Sequence, residues 1–262
     1  MPGRLDLLRS GIASTLRLWR GTWGDLPART PKKLLVLYDR EDGAECRLVR
    51  EALTALDLDA MVYPCPLDGQ RFAAQRPAPG IEPGSDTPVL VDPNSRRTLV
   101  GAAAIVPHLF KRYLDAEAPA PLKASALNLL SSRLAGLVRS PLRLRARPSI
   151  EPKQPLVLYS FESSPFSRPV RERLCELELP YRLINLGKGQ WADMGPAWPR
   201  RLVPGRYKPV PGSKREAFFK QHGQVQVPFL IDPNHQVQMF ESQAIVDYVE
   251  LHYAQPTARR PV

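Results

Sequence analysis

The sequence predicts an α/β protein made of two tandem copies of one unit, each copy preceded by a helical segment. Three observations predict it. The stretch LLVLYDREDGAECRLVREALTALDL from Leu34 is matched without a gap by PLVLYSFESSPFSRPVRERLCELEL from Pro155, 121 positions later. Tyr38 and Tyr159, Arg47 and Arg168, Arg50 and Arg171, Glu51 and Glu172, and Leu56 and Leu177 are identical pairs. The block TPVLVDPN at 87–94 returns as VPFLIDPN at 227–234, and AAAIV at 102–106 returns as SQAIV at 242–246, now 140 positions apart. The second copy therefore carries 19 extra residues, which the Pro-, Gly- and Trp-rich stretch 191–213 accommodates. Finally, LDLLRSGIASTLR from Leu5 resembles LNLLSSRLAGLVR from Leu127 at a shift of 122, so the repeat extends upstream into a helix.

The elements follow in order. The apolar run 34–38 is short and β-prone and reads as a buried strand. After a loop, a helix from about Cys46 places Val49, Leu53 and Leu56 at spacings of three and four. A second strand starts at Ala60, and the 87–94 block reads as a third strand with proline at its start and a DPN turn at its end. A short strand and a C-terminal helix complete the unit. The second copy repeats this with a strand from Leu156, a helix from Ser167 carrying Val170, Leu174 and Leu177, a strand from Tyr181 and the 227–234 block. Upstream, Leu5, Leu8, Ile12 and Leu16 share one helical face, as do Leu127, Leu130, Leu134 and Val138. Because the pattern recurs inside the chain, a helix packed on its own domain is the expectation, ahead of a basic amphipathic membrane helix. The segments are then 1–32 (helical), 33–118 (first domain), 119–154 (connecting helix and linker) and 155–262 (second domain). A compact pair of domains is expected, not beads on a linker.

Composition narrows the function classes. The chain of 262 residues is 43% hydrophobic and 24% charged, suited to a packed core. No apolar run approaches the ~20 residues of a membrane span, so no integral membrane association is expected. The N-terminal arginines interrupt what would be a secretory apolar region, which leads to a cytoplasmic expectation. Cys46, Cys65 and Cys175 show neither a CxxC nor a zinc spacing, so neither a disulfide framework nor a metal is expected. The net charge of +11 is spread along the chain without a nucleic-acid motif, and no nucleic-acid partner is expected.

The element order, together with SSPFSRPVR at 163–171, VPFL at 227–230 and FESQAI at 240–245, resembles the N-terminal domain of glutathione transferases and the related glutaredoxins. The resemblance implies a fold of two thioredoxin-like domains in tandem, and glutathione as ligand or substrate. It implies a cis Pro228, by repeat a cis Pro88, and a Val227 backbone that pairs with the cysteinyl amide of glutathione. It gives Ser242 a contact with the γ-glutamyl carboxylate at a helix N-terminus and Glu241 a contact with the γ-glutamyl ammonium. Ser164, with Ser163 as neighbour, falls at the reactive position that faces the glutathione sulfur. Ser167 stands where a glutaredoxin has its second cysteine, so dithiol chemistry through this motif is excluded.

The first copy departs further. Gly43 stands at its reactive position, Cys46 opposite Ser167, and Gly101 and Ala102 replace Glu241 and Ser242, so its site is expected to be degenerate and Cys46 inert. Ordinary transferases continue into a helical domain that forms the electrophile pocket; the sequence after the last helix here is short, so that pocket is expected to be missing. An electrophile would then sit between the copies, against the 124–139 helix or under the 191–213 insertion, whose Trp191, Trp198 and Tyr207 would form a lid or a surface loop. The leading expectation is a glutathione-binding, transferase-like protein with its site in the second domain, open to homodimer formation. The alternative is a non-catalytic adaptor that uses the duplicated fold for protein contacts.

Overall fold

A computed structural model of the chain describes residues 4–24, 26, 28–72, 75–77, 85, 87–139, 144–194 and 206–256. The first copy contains β1 (Leu35–Asp39), α2 (Ala44–Ala55), β2 (Ala60–Pro64), β3 (Val89–Asp92), β4 (Arg97–Val100) and α3 (Ala102–Tyr113), preceded by α1 (Arg4–Leu16). The second is preceded by α4 (Ala126–Arg139) and contains β5 (Leu156–Ser160), α5 (Arg168–Glu176), β6 (Tyr181–Asn185), α6 (Lys214–His222), β7 (Phe229–Asp232), β8 (Val237–Phe240) and α7 (Ser242–Tyr253). The alternating burial of β1, β2 and β5 is what a period of two produces in strands with one face fully covered and the other partly open.

All eight strands form one sheet in the order β4-β3-β1-β2-β6-β5-β7-β8. Within each copy the first two strands are parallel, the third is antiparallel to the first, and the fourth is antiparallel to the third. The copies join edge to edge through antiparallel pairing of β2 with β6, with Val62 opposite Tyr181 and Ala60 opposite Leu183. Each copy thereby covers the strand edge the other would expose, and the expected compact pair is the result. Val62 of the first copy sits in the apolar core of the second, with Leu158, Leu174 and Leu230.

The residues identical between the copies meet across this junction. Arg50 donates to both oxygens of Asp39 at 2.8 and 2.6 Å and to Glu162 of the other copy at 2.8 Å. Its counterpart Arg171 donates to Glu41 at 2.9 and 3.1 Å and lies 3.1 Å from Glu162. All five side chains are buried. Burial opposes ionisation of Glu162, but the charges of Arg171 and Arg50 overcome it and hold this carboxyl below its ordinary 4.5. The folded state therefore binds fewer protons at Glu162 than the unfolded state does. Stability from this group is present above about pH 4.5 and lost as pH falls below it. Asp39, pushed up by burial, works in the opposite sense. Urea unfolding across this range should show stability dropping with acid in the wild type and a shallower drop in Glu162→Gln; an equal drop in both would refute the assignment.

The helices upstream of each copy correct the sequence expectation. Leu8, Ile12 and Leu16 of α1 and Leu127, Leu130 and Leu134 of α4 are exposed, and Val138 is half-buried. The side chain of Leu5 lies outside the described residues. The helices instead turn small and polar faces inward: Ser10, Ala13 and Ser14 from α1 with Arg17 just after it, and Asn128, Ser132, Ala135, Gly136 and Arg139 from α4. The reason is the surface beneath them, which offers charges and carbonyls. Arg17 pairs with Glu51 and Arg139 with Glu172, and the Ser132 hydroxyl donates to the Ala44 carbonyl. Nor does each helix rest only on its own domain. α4 packs on α2 of the first copy, and Arg168 of the second copy donates to the Ser10 carbonyl of α1. The segment after α1 is fastened by a backbone crossing of Gly24 and Gly187, where a Cβ on Gly187 would stand 2.6 Å from the Gly24 Cα. Only glycine permits that approach.

Candidate functional site

The 161–167 loop, the entry to β7 and the start of α7 converge. The Ser242 hydroxyl donates to the Phe166 carbonyl at 2.6 Å, and the Gln226 amide, next to Val227, donates to the Glu241 carboxylate. The Val227–Pro228 bond is cis. Thr87–Pro88, the counterpart in the first copy, is not cis, against expectation. There the Pro88 carbonyl accepts from the Gly101 amide at 2.9 Å, which settles that strand end in the ordinary trans form, the lower-energy choice for X–Pro.

Glu241 has φ 73, a left-handed backbone that its counterpart Gly101 also adopts at φ 78. A side chain there is strained, and the strain sets a carboxylate at the mouth of α7. Ser242 is buried and Glu241 exposed. The side chain of Glu241, which opens α7, makes no capping hydrogen bond, and among the described residues no other side chain accepts from the first amides of this helix, whose end carries a partial positive charge.

The serines of the loop divide into two groups. Ser163 faces the N-terminal segment: its amide donates to the Gly21 carbonyl, its hydroxyl shares a hydrogen bond with Thr22, and its carbonyl accepts from Ser14. It takes no part in the α7 mouth. Ser164 accepts from the Ser167 amide at 3.2 Å and from the Ser167 hydroxyl at 3.0 Å, at the head of α5, and keeps its own proton to donate. Both Ser163 and Ser164 are only 1% exposed, whereas Phe166 beside them is 50% exposed.

The first copy fills the same place with its own residue. Glu45 stands where the second copy has Phe166, and its carboxylate accepts from the Ala102 amide at 2.8 Å, capping α3 where α7 is left open. Cys46 is buried, and burial pushes its thiol well above its ordinary value, so the expectation of an inert thiol holds. Sequence reasoning missed Glu45, although the signal was present: the 121-position register sets it against Phe166.

A cavity of about 600 Å³ lies elsewhere, between the copies, lined by Leu56, Asp57 and Leu58 of the first and by Leu186, Gly189 and Lys214 of the second. Burial raises Asp57 there to about 6, against the opposing charge of Lys214. It is one of the places expected for a second substrate. Of the insertion, Trp191 packs edge-on against Trp23 at 5.4 Å and Tyr207 against Phe219 at 5.7 Å; Trp198 lies outside the described residues. No cluster of three or more His, Cys, Asp or Glu suited to a metal ion occurs among the described residues. None of their helices is long and apolar enough to cross a membrane.

A family model described as the N-terminal domain of glutathione S-transferase matches residues 37–117 and 158–257, one segment in each copy. No curated protein and no solved structure matches the chain.

Proposed function

The chain belongs to the glutathione S-transferase N-terminal domain family, and from that premise we propose that it binds glutathione in its second copy. The observation that carries the reading is the contrast between the two helix mouths: Glu45 occupies that of α3, and among the described residues no side chain caps that of α7. A helix N-terminus left with outward amides suits a carboxylate. The γ-glutamyl carboxylate of glutathione takes the place at α7 that Glu45 takes at α3, with the ammonium beside it on Glu241. The Val227 backbone pairs with the cysteinyl amide. The hydroxyl of Ser242, which donates to the Phe166 carbonyl, turns to the ligand carboxylate, while the backbone amides are already in place.

The sulfur then lies toward Ser164, whose remaining proton would hydrogen-bond a thiolate and favour its ionised form. Because Ser164 is 1% exposed, the thiol reaches it only when the residues around it give way. Binding is therefore the primary activity, and any transferase turnover depends on that opening.

Calorimetric titration with reduced glutathione tests the reading. The wild type should bind in the micromolar to low-millimolar range, and Ser242→Ala should bind about tenfold more weakly, the equivalent of one hydrogen bond to a charged group. Phe166→Glu installs in the second copy the carboxylate that Glu45 supplies in the first; it should abolish binding while the melting temperature is kept. Absence of binding by the wild type, or binding untouched by Phe166→Glu, would sink the proposal and favour an adaptor role.

A further inference from the structure

We propose that the outward faces of α1 and α4 form a peripheral docking surface for an anionic lipid bilayer. The two helices pack along each other as the outermost layer of the fold, each with its polar face turned inward. What remains outside is apolar: Leu8 (59% exposed), Ile12 (42%) and Leu16 (40%) on α1, and Leu127 (79%), Leu130 (55%) and Leu134 (45%) on α4. A patch this dense in large aliphatic side chains marks a contact surface. The turn after α1 extends it. Leu18 and Trp19 adopt left-handed backbone at φ 53 and 55, which side-chained residues rarely do, and stand 75% and 43% exposed. An indole at the edge of an apolar patch suits the headgroup level of a bilayer.

Charge selects the occupant. Segments 4–20 and 123–139 carry seven basic residues and one acidic residue, Asp6. Arg17 and Arg139 are neutralised by Glu51 and Glu172. Lys123 pairs with Glu117 at 3.2 Å, while Arg9 and Arg133 are exposed on the same helices, in a chain of net charge +11. A second copy on this face would bring one net-positive patch against another, since a two-fold interface is built from the same surface patch of both subunits. An anionic lipid surface attracts that patch instead, and takes the leucines into its acyl boundary. The inference is independent of the glutathione reading.

Co-sedimentation of the full chain with phosphatidylcholine vesicles, with and without phosphatidylglycerol, tests it. The protein should pellet with the anionic vesicles and remain in solution with the neutral ones. The triple variant Leu8→Ser, Leu130→Ser and Leu134→Ser and the double variant Arg9→Gln, Arg133→Gln should each reduce vesicle binding by about tenfold or more. Since every substituted side chain is exposed, both variants should keep the wild-type melting temperature. Failure of the wild type to pellet with anionic vesicles at low salt would overturn the proposal. So would vesicle binding unchanged in the leucine variant, or sedimentation velocity showing a wild-type dimer that this variant splits.

Discussion

Replacing Arg50 or Arg171 by alanine is expected to destabilise the fold by about 3–5 kcal/mol, the cost of stranding a buried charge without its partner. Arg50 holds Asp39 and Glu162 through short hydrogen bonds and also donates to the Glu41 carbonyl at 2.8 Å; Arg171 grips both oxygens of Glu41 and the Phe161 carbonyl. Water does not reach these carboxylates to replace a lost guanidinium. Lysine would not substitute well, because a single ammonium cannot span two carboxylates and a carbonyl. The cluster joins both copies, so urea unfolding should remain one cooperative transition in the wild type, with the midpoint lowered in either variant. Pairing Arg171→Met with Glu41→Gln should recover part of the loss, since it removes both charges together. A loss under about 1 kcal/mol for Arg50→Ala would mean that the cluster is solvated and does not hold the copies together.

Asp232→Ala is expected to cost about 3 kcal/mol, through several donors left without an acceptor. The Asp232 carboxylate accepts from the hydroxyls of Tyr253 at 2.6 Å and Tyr248 at 2.7 Å, from the Asn234 amide at 2.7 Å, and contacts His235 at 2.9 Å. It therefore ties the β7–β8 turn to α7, the helix that carries the proposed site. Asp92 does the same in the first copy with Tyr113, Asn94, Ser95 and His108, which is why the DPN block recurs. Burial disfavours the charge at Asp232, and the hydrogen bonds more than offset it, holding the carboxyl below the usual range. The stabilisation is thus present near neutral pH and lost in strong acid. Asp232→Asn, which keeps one acceptor oxygen, should lose less than the alanine variant. Equal stability of wild type and Asp232→Ala in urea would remove the turn from the account.

Much of the fold was legible in the repeat, because strand periodicity and the DPN turns are local signals. The roles of the identical pairs were not. Charged side chains on a helix are seldom buried, yet Arg50 and Arg171 are, because the edge pairing of β2 with β6 brings Glu162 and Glu41 of the opposite copies onto them. The apolar stripes on α1 and α4 misled for a related reason: periodicity reports that a stripe exists, while the polar surface below decided which side faced inward. Helix α6 was missed although its ends are written in the sequence. Ser213 accepts from the Glu216 amide, Glu216 reaches back to the Gly212 amide, and Gly223 closes the helix at φ 72. At the candidate site, the resemblance placed Val227, Glu241 and Ser242 together, whereas the burial of Ser163 under Gly21 and Thr22 depends on a contact between residues some 140 positions apart.

The most direct test of the central claim is an NMR titration of isotope-labelled protein with reduced glutathione at up to millimolar concentrations. The account predicts that the amide signals of Val227, Ser242 and Gln243 move in a saturable way, while those of Thr87 and Ala102 in the first copy stay fixed. Saturable shifts at Ala102 or around the Asp57–Lys214 cavity with none at Ser242, or no shifts at all, would contradict it.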